Sequence, residues 1–238
     1  MRRFASTMAT KTSRKFAPLR AGANSDAPKL RGIVFDMDGT LCLPQNYMFP
    51  LMRDALGISK SVDILDHIKS LPTAEQEAAH EKIQNIEREA MVKQAPQPGL
   101  DALMSYLDSK AVPKAICTRN FPLPVEHLVG KFLTNHKPFA PVVTREFEPP
   151  KPHPAGILHI AKAWGLLSED CQGDATGLIM VGDSIDDMAA GRAAGAATVL
   201  LTNAANAHLK EHDCTDLAIT QLDELVDILE RGFVASIE

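Results

Sequence analysis

Two apolar runs that each end in aspartates decide the fold class of this chain. Residues 33–40 read IVFDMDGT, and residues 178–187 read LIMVGDSIDD. Continuous apolar runs of this length are typical of strands that are covered on both faces. Ligands of open α/β sheets bind beyond the carboxyl ends of the strands, so the aspartates after each run are candidate site residues.

Other short apolar runs alternate with segments of helical periodicity. Strands are predicted at residues 115–117, 141–143, 198–201 and 217–219, with helices between them. Strands that alternate with helices favour β-α-β crossovers and a parallel sheet. The predicted fold class is therefore α/β, with a doubly wound parallel-sheet core.

A purely helical segment interrupts this alternation after the first strand. Helices are predicted at residues 47–56, 62–70 and 74–92, and Thr73 with Gln76 forms a capping-box pattern before the last of them. Prolines and a glycine at residues 96–99 then mark a boundary.

These signals divide the chain into three parts. Residues 29–43 and 97–238 are predicted to form the α/β core, and residues 44–96 a small helical insert. Residues 1–28 are predicted to be a disordered basic leader, because residues 1–25 contain six basic and no acidic residues. A basic, Ser-rich, acid-poor start is typical of a mitochondrial or chloroplast transit peptide, and a basic tail of a cytosolic protein is the alternative.

Composition excludes several classes of protein. The chain has 238 residues, of which 45% are hydrophobic, and no apolar run approaches the ~20 residues that a membrane span needs. The formal net charge of −5 disfavours a general nucleic-acid binder. The four widely spaced cysteines are interpreted as reduced thiols, which predicts an intracellular compartment, either the mitochondrial matrix or the cytoplasm.

The candidate site begins with Asp36 and Asp38 at the end of the first strand. Two carboxylates at this spacing can converge on one cation, or one can attack while the other moves a proton. Gly39 permits a sharp turn and the close approach of an anionic ligand.

Polar residues at the other strand ends complete the candidate site. They are Thr118, Arg119 and Asn120 after the second strand, Lys151 between prolines, and Asp183 and Asp187 after the run at 178–181. Carboxylate-rich oxygen sites suit Mg²⁺, and a lysine with a hydroxyl suits phosphate. This combination indicates Mg²⁺-dependent phosphoryl transfer with an aspartate nucleophile.

The same residues resemble the four motifs of the haloacid dehalogenase (HAD) superfamily. In order, these are DMDGT at 36–40, ICT at 116–118, KP at 151–152 and GDSIDD at 182–187. The last stretch is similar to phosphoglycolate-phosphatase-like members. The resemblance covers residues 30–232 and implies a Rossmann-like core with a small helical cap at the insert.

The resemblance also implies residue roles. Asp36 would form an aspartyl-phosphate, and Asp38 would act as general acid and then as general base. The implied metal ligands are Asp36, Asp183 and the backbone carbonyl of Asp38, and Asp187 would steady metal-bound waters or Lys151. Thr118 and Lys151 would hold and neutralise the phosphate, with Gly39, Arg119 and Asn120 as substrate-binding residues.

The expected activity is hydrolysis of small phosphate monoesters, because a dehalogenase would not need Asp38. A phosphomutase of the β-phosphoglucomutase type and a non-catalytic regulatory HAD protein are the alternatives. The expected partner is a small phosphorylated metabolite, with no nucleic acid and no membrane, and the chain is expected to be a monomer or a homodimer.

Overall fold

The computed structural model describes residues 14–235, apart from the side chain of Leu65, and contains the predicted sheet. Its strands are β1 (Gly32–Phe35), β2 (Lys114–Cys117), β3 (Val142–Val143), β4 (Leu178–Gly182), β5 (Ala197–Leu201) and β6 (Leu217–Ile219). They are parallel and lie in the order β3-β2-β1-β4-β5-β6. The order runs outward from β1 in both directions, which confirms the doubly wound α/β fold.

In the part of the chain that the structure describes, seven helices lie between these strands in sequence, and an eighth follows β6. They are α1 (Met48–Leu56), α2 (Ile64–Ser70), α3 (Thr73–Val92), α4 (Leu100–Ser109), α5 (Pro122–Phe132), α6 (Ala155–Ala163), α7 (Ile185–Ala194) and α8 (Glu224–Arg231). A short 3₁₀ helix at Ala207–Glu211 was not predicted. The predicted strands after the insert and the three predicted helices of the insert begin and end within two residues of the observed ones.

The sheet is buried on both faces, as the continuous apolar runs predicted. Ile33 and Phe35 of β1 belong to a core cluster that includes Phe233. Val34 points to the opposite face and joins a second cluster that includes Ile157. Successive side chains of a strand alternate between faces, so an apolar residue at every position supplies both layers.

The helical insert has an apolar core of its own. Met52 of α1, Ile64 and Ile68 of α2, and Ala79 and Ile83 of α3 form a cluster separate from those on the sheet. The two segments that connect these helices to the sheet are hydrogen bonded to each other. The amide of Leu43 donates to the carbonyl of Ala95 at 2.9 Å, and the amide of Gln97 donates to the carbonyl of Leu41 at 3.1 Å.

The predicted capping box before α3 is wrong. Thr73 is the first residue of the helix, and Pro72 is the N-cap residue, without a side-chain cap. The side chain of Gln76 instead donates to the carbonyl of Leu71 at 2.8 Å. The pattern placed the cap one residue late, because proline at 72 already supplies the extended backbone that starts the helix.

The predicted boundary of the leader at residue 28 is also wrong. Phe16 is buried in the sheet core, and its ring centroid lies 5.7 Å from that of Phe233. The amide of Phe16 donates to the carbonyl of Phe233 at 2.8 Å, and that of Leu19 donates to the carbonyl of Leu229 at 2.9 Å. Residues 14–19 therefore pack on the core despite their basic composition, although residues 20–28 are mostly exposed. The prediction for residues 1–13 lies outside the described residues.

Candidate active site

The carboxyl ends of three adjacent strands bring the predicted site residues together. Asp36 follows β1, Thr118 follows β2 and Asp183 follows β4, and β1 lies between the other two strands. The amide of Asp36 donates to the carbonyl of Val181 at 2.9 Å, so the register of β1 and β4 sets the position of the first aspartate. The amide of Thr118 is fixed in the same way, by the carbonyl of Val143 at 2.9 Å.

Lys151 lies between two carboxylates at the centre of this site. Its Nζ atom is 2.6 Å from Oδ1 of Asp36 and 2.6 Å from Oδ1 of Asp187, and all three side chains are buried. Burial by itself lowers the pKa of Lys151, but the charges of Asp187 and Asp36 outweigh it and raise that pKa above its ordinary value. The lysine therefore carries a permanent positive charge in the site.

A group of three carboxylates surrounds this lysine. One oxygen each from Asp36, Asp183 and Asp187 lie within 4.8 Å of one another. Burial, opposed by Lys151 and reinforced by Asp187, raises the pKa of Asp36 to about 7. Burial and then the charge of Asp187 raise the pKa of Asp183 to about 7 as well. The single ammonium group of Lys151 does not balance three carboxylates, so this part of the site lacks positive charge.

A hard divalent cation fits this donor set. The three side chains offer oxygen atoms alone, which are the ligands that Mg²⁺ prefers. Gly39, at φ +80°, lets the loop after β1 approach this group, because a Cβ atom there would collide with the carboxylate of Asp183. The residues present are therefore compatible with the predicted magnesium site.

The side chain of Asp38 lies outside this three-carboxylate group and has separate partners. Its Oδ2 atom accepts a hydrogen bond from Nδ2 of Asn120 at 2.5 Å. The thiol of Cys42 lies 3.5 Å from the Oδ1 atom. The side chain is only half-buried, whereas Asp36 is buried. The expected ligation of a metal by the Asp38 carbonyl stays a prediction.

The start of α7 fixes Asp187. Its Oδ2 atom accepts hydrogen bonds from the amide of Ser184 at 3.0 Å and from the hydroxyl of Ser184 at 2.7 Å. The other oxygen accepts a hydrogen bond from Lys151. One oxygen of this carboxylate thus caps the helix, and the other pairs with the lysine. Gly182 makes room for it, because a Cβ atom there would collide with the side chain of Asp187.

Arg119 and Asp186 form an ion pair between two strand ends. Nη1 of Arg119 lies 2.7 Å from Oδ2 of Asp186, and the arginine side chain is 58% exposed. Asp186 lies in the first turn of α7, where a carboxylate stabilises the amino end of the helix. The expected contact of Arg119 with substrate stays a prediction.

Comparison with known proteins identifies the family. The profile of the haloacid dehalogenase-like hydrolases matches residues 30–195. The chain belongs to this family. An uncharacterised hydrolase of Saccharomyces cerevisiae is 46% identical over 207 residues, which cover 85% of this chain and 92% of the yeast protein. The protein is thus a HAD-type hydrolase, as the four motifs predicted.

Solved structures support the HAD fold at lower sequence identity. A predicted phosphoglycolate phosphatase from Haemophilus somnus has a TM-score of 0.65 and 19% identity, over 84% of this chain and 97% of that one. The protein CbbY from Rhodobacter sphaeroides, in complex with xylulose-(1,5)bisphosphate, has a TM-score of 0.63 and 17% identity, over 82% and 96% of the two chains. At these identities the likeness establishes the shared fold.

Three residues of this HAD site were not predicted. Nε2 of Gln97 donates to the carbonyl of Gly39 at 2.6 Å, and Nδ2 of Asn206 donates to the carbonyl of Asp183 at 2.7 Å. Cys42 contacts Asp38, as described above. Of these three residues, only Asn206 could have been found from the sequence, because it follows the carboxyl end of a predicted strand, as the other site residues do.

His153, two residues after Lys151, makes a local contact. Its Nδ1 atom accepts a hydrogen bond from the amide of Ala155 at 3.2 Å, and the side chain is exposed.

The four cysteines are free thiols, and Cys42 and Cys117 are buried. In the described part of the chain, no helix is both long enough and apolar enough to cross a membrane.

Proposed function

We propose that this hydrolase cleaves small phosphate monoesters with bound Mg²⁺ and with Asp36 as the nucleophile. The observation that carries the proposal is the buried group in which Lys151 lies 2.6 Å from Asp36 and from Asp187, with Asp183 close by. Such a group suits the binding and neutralisation of a phosphoryl group at the end of β1.

The first half of the reaction transfers the phosphoryl group to the protein. An oxygen of the Asp36 carboxylate attacks phosphorus, and the bond from phosphorus to the ester oxygen breaks. Asp38 donates its proton to the departing alkoxide, which leaves as an alcohol. Lys151 holds Asp36 in place and offsets the negative charge of the phosphoryl group, and the Thr118 hydroxyl donates to a phosphoryl oxygen.

The second half returns Asp36 to its starting form. The Asp38 carboxylate, now ionised, takes a proton from a water molecule as the water attacks phosphorus. The bond between phosphorus and the Asp36 oxygen breaks, and inorganic phosphate leaves. Asp38 ends protonated, as it began, with a proton taken from the water, and one water is consumed for each ester cleaved.

Asp36, Asp183 and the Asp38 carbonyl would hold Mg²⁺, with Asp187 beside them. When bound, the ion supplies positive charge to a site that has three carboxylates and one lysine. Asp187 holds Lys151 directly. Two hydrogen bonds from Ser184 hold Asp187 in its own position.

The substrate class is small phosphorylated metabolites. Helices α1 to α3 would act as a cap that closes over the site and selects among them, because they form a separate apolar unit joined by two adjacent connections. Arg119 is proposed to contact a second anionic group of the substrate, because its exposed side chain follows Thr118 directly.

Phosphate release from a panel of esters tests the proposal. The panel contains alkyl phosphates, p-nitrophenyl phosphate, phosphoglycolate and a sugar bisphosphate, the last two because structural relatives are named for or bind such compounds. Each ester is assayed with Mg²⁺ and with EDTA, using the wild type, Asp36→Asn and the control Asp26→Asn, whose side chain is exposed.

We expect Mg²⁺-dependent release from the wild type and from Asp26→Asn, and none from folded Asp36→Asn. Near wild-type release by Asp36→Asn would exclude the covalent mechanism. Isomerisation that depends on a bisphosphate, without net release, would favour the phosphomutase. No turnover by a folded wild type would favour a regulatory role.

A further inference from the structure

Both oxygens of the Asp38 carboxylate have protein donors beside them. Nδ2 of Asn120 is 2.5 Å from Oδ2, and Sγ of Cys42 is 3.5 Å from Oδ1. A carboxylate has about four lone-pair positions, so two donors still leave positions for the proton that Asp38 is proposed to exchange. The carboxylate is therefore held from two sides without being saturated.

Two hydrogen bonds hold the backbone of Asn120 in place, independently of its side-chain contact with Asp38. Its amide donates to the hydroxyl of Thr118 at 3.2 Å, and its carbonyl accepts from the amide of Arg145 at 2.8 Å. The side-chain nitrogen is also near Sδ of Met37, at 3.9 Å. The nearest acceptor of the side-chain nitrogen is therefore the Asp38 carboxylate, and the thioether of Met37 is a weak second one.

Cys42, on the segment that leads into the helical insert, contacts the other oxygen of the Asp38 carboxylate. Its amide donates to the carbonyl of Met37 at 3.1 Å, and it forms a backbone bridge with Pro96 on the returning segment. The thiol is buried and has one hydrogen. The nearer of its two acceptors is Asp38, at 3.5 Å, against 3.6 Å for the Met37 carbonyl.

We propose that Asn120 and Cys42 are positioning residues that hold the Asp38 carboxylate toward the leaving-group oxygen. The inference rests on the proposed function and replaces the expected contact between Asn120 and substrate. During the first half of the reaction the proton moves from Asp38 to the alkoxide, and both residues keep their own hydrogens. Their effect is confined to how well Asp38 is aligned for this transfer.

The dependence of rate on the leaving group isolates this effect. An alkoxide needs a proton as it departs, whereas p-nitrophenolate is stable enough to leave without one. The value of kcat/KM reports transfer to Asp36 in both cases, because release of the alcohol ends the steps that it contains. The ratio of the two kcat/KM values is independent of the active fraction of a preparation, so partial misfolding of a variant does not disturb it.

The experiment measures kcat/KM for p-nitrophenyl phosphate and for the alkyl ester that the wild type cleaves fastest. General acid catalysis contributes about 10²–10⁴-fold, so misalignment in Asn120→Ala is expected to lower the alkyl value about tenfold and the p-nitrophenyl value less than about twofold. Cys42→Ala is expected to lower the alkyl value about threefold, since a thiol is a weak donor. Cys214→Ala, which removes a half-buried thiol elsewhere, is the control and should leave the ratio unchanged.

Equal losses for the two esters in Asn120→Ala would overturn the inference, because a residue that binds the shared phosphoryl group affects both alike. An unchanged ratio in both variants would overturn it as well. These outcomes leave the phosphatase proposal intact, since they require wild-type turnover. A wild type without Mg²⁺-dependent turnover of either ester would overturn both proposals.

Discussion

Lys151 and Asp187 are joined by a hydrogen-bonded ion pair of 2.6 Å in which both side chains are almost fully buried. The same ammonium group reaches Asp36 at the same distance. A buried charge is costly unless it is paired, so each of these groups depends on the others. The loop that carries Lys151 is thereby tied to the end of β1 and to the first turn of α7.

Replacement of this lysine should destabilise the protein in a way that depends on pH. Removal of one partner of a buried ion pair costs about 3–5 kcal/mol, so Lys151→Met is expected to lose about that much in free energy of unfolding at about pH 8. The loss should shrink toward about pH 6, because unpaired carboxylates with a raised pKa can then be protonated. Urea denaturation at the two pH values, without divalent cations, measures both effects.

Lys114→Met is the matched control. Lys114 is also buried and is paired with the carboxylate of Asp108, at the end of β2 opposite to the end that Thr118 follows. Added Mg²⁺ should stabilise Lys151→Met more than the wild type, and Lys114→Met as much as the wild type, because its carboxylate group is intact. The same Mg²⁺ response in both variants would contradict the assignment of the carboxylate group as a cation site.

Asp183→Asn is expected to stabilise the metal-free protein. The pKa of Asp183 is about 7 in the folded chain, against 3.8 ordinarily, so between these pH values the folded state binds a proton that the unfolded state does not. The free energy of unfolding therefore falls as the pH rises from about 4 to about 7, and above that the ionised group carries its full cost.

In EDTA at about pH 8, the neutral asparagine should thus raise the free energy of unfolding by about 1–3 kcal/mol. Mg²⁺ should stabilise the wild type more than this variant, and turnover should require more Mg²⁺. Chemical denaturation with and without the ion checks the first two expectations. An unchanged Mg²⁺ response would remove Asp183 from the metal site.

Gly39→Ala should abolish activity. The residue has a left-handed backbone, and an added Cβ atom would collide with the Asp183 carboxylate. Gly57→Ala is the control, since Gly57 also has a positive φ, at +67°, but open space around it. Both variants should lose about 1–2 kcal/mol from the backbone alone, and thermal unfolding would measure this. Retained turnover in folded Gly39→Ala would contradict the proposed close approach of this loop to Asp183.

Phe16→Ala tests the corrected boundary of the N-terminal segment. Phe16 is 4% exposed and packs on Phe233, so the variant is expected to lose about 3–5 kcal/mol in free energy of unfolding. Phe49→Ala makes the same change at a site that is 45% exposed, and its effect should stay within about 0.5 kcal/mol. Equal effects of the two changes would mean that Phe16 does not contribute to the core.

Several features of the site could be predicted because they lie in short local patterns. Apolar runs ending in Asp36 and Asp183 gave the strands, and the rule that parallel strands place their carboxyl ends at one edge brought the aspartates together. Arg119 and Asn120 were also recognised as lying there. The residues that these two side chains contact were not predicted. Asn120 contacts Asp38 and Arg119 contacts Asp186, and the two contacts join residues 82 and 67 positions apart.

By itself, the sequence determined the α/β class, the helical insert and the set of charged residues at the strand ends. Hydrophobic periodicity and the charged motifs depend on residues that are close together in the chain, so these inferences needed no knowledge of packing. Only the tertiary structure decided that Phe16 belongs to the core, that Asp187 is shared between Ser184 and Lys151, and that Asp38 is held by Asn120 and Cys42. Each of these depends on side chains from distant segments that meet only after the sheet has formed, and burial then fixes the partner and the charge of each group.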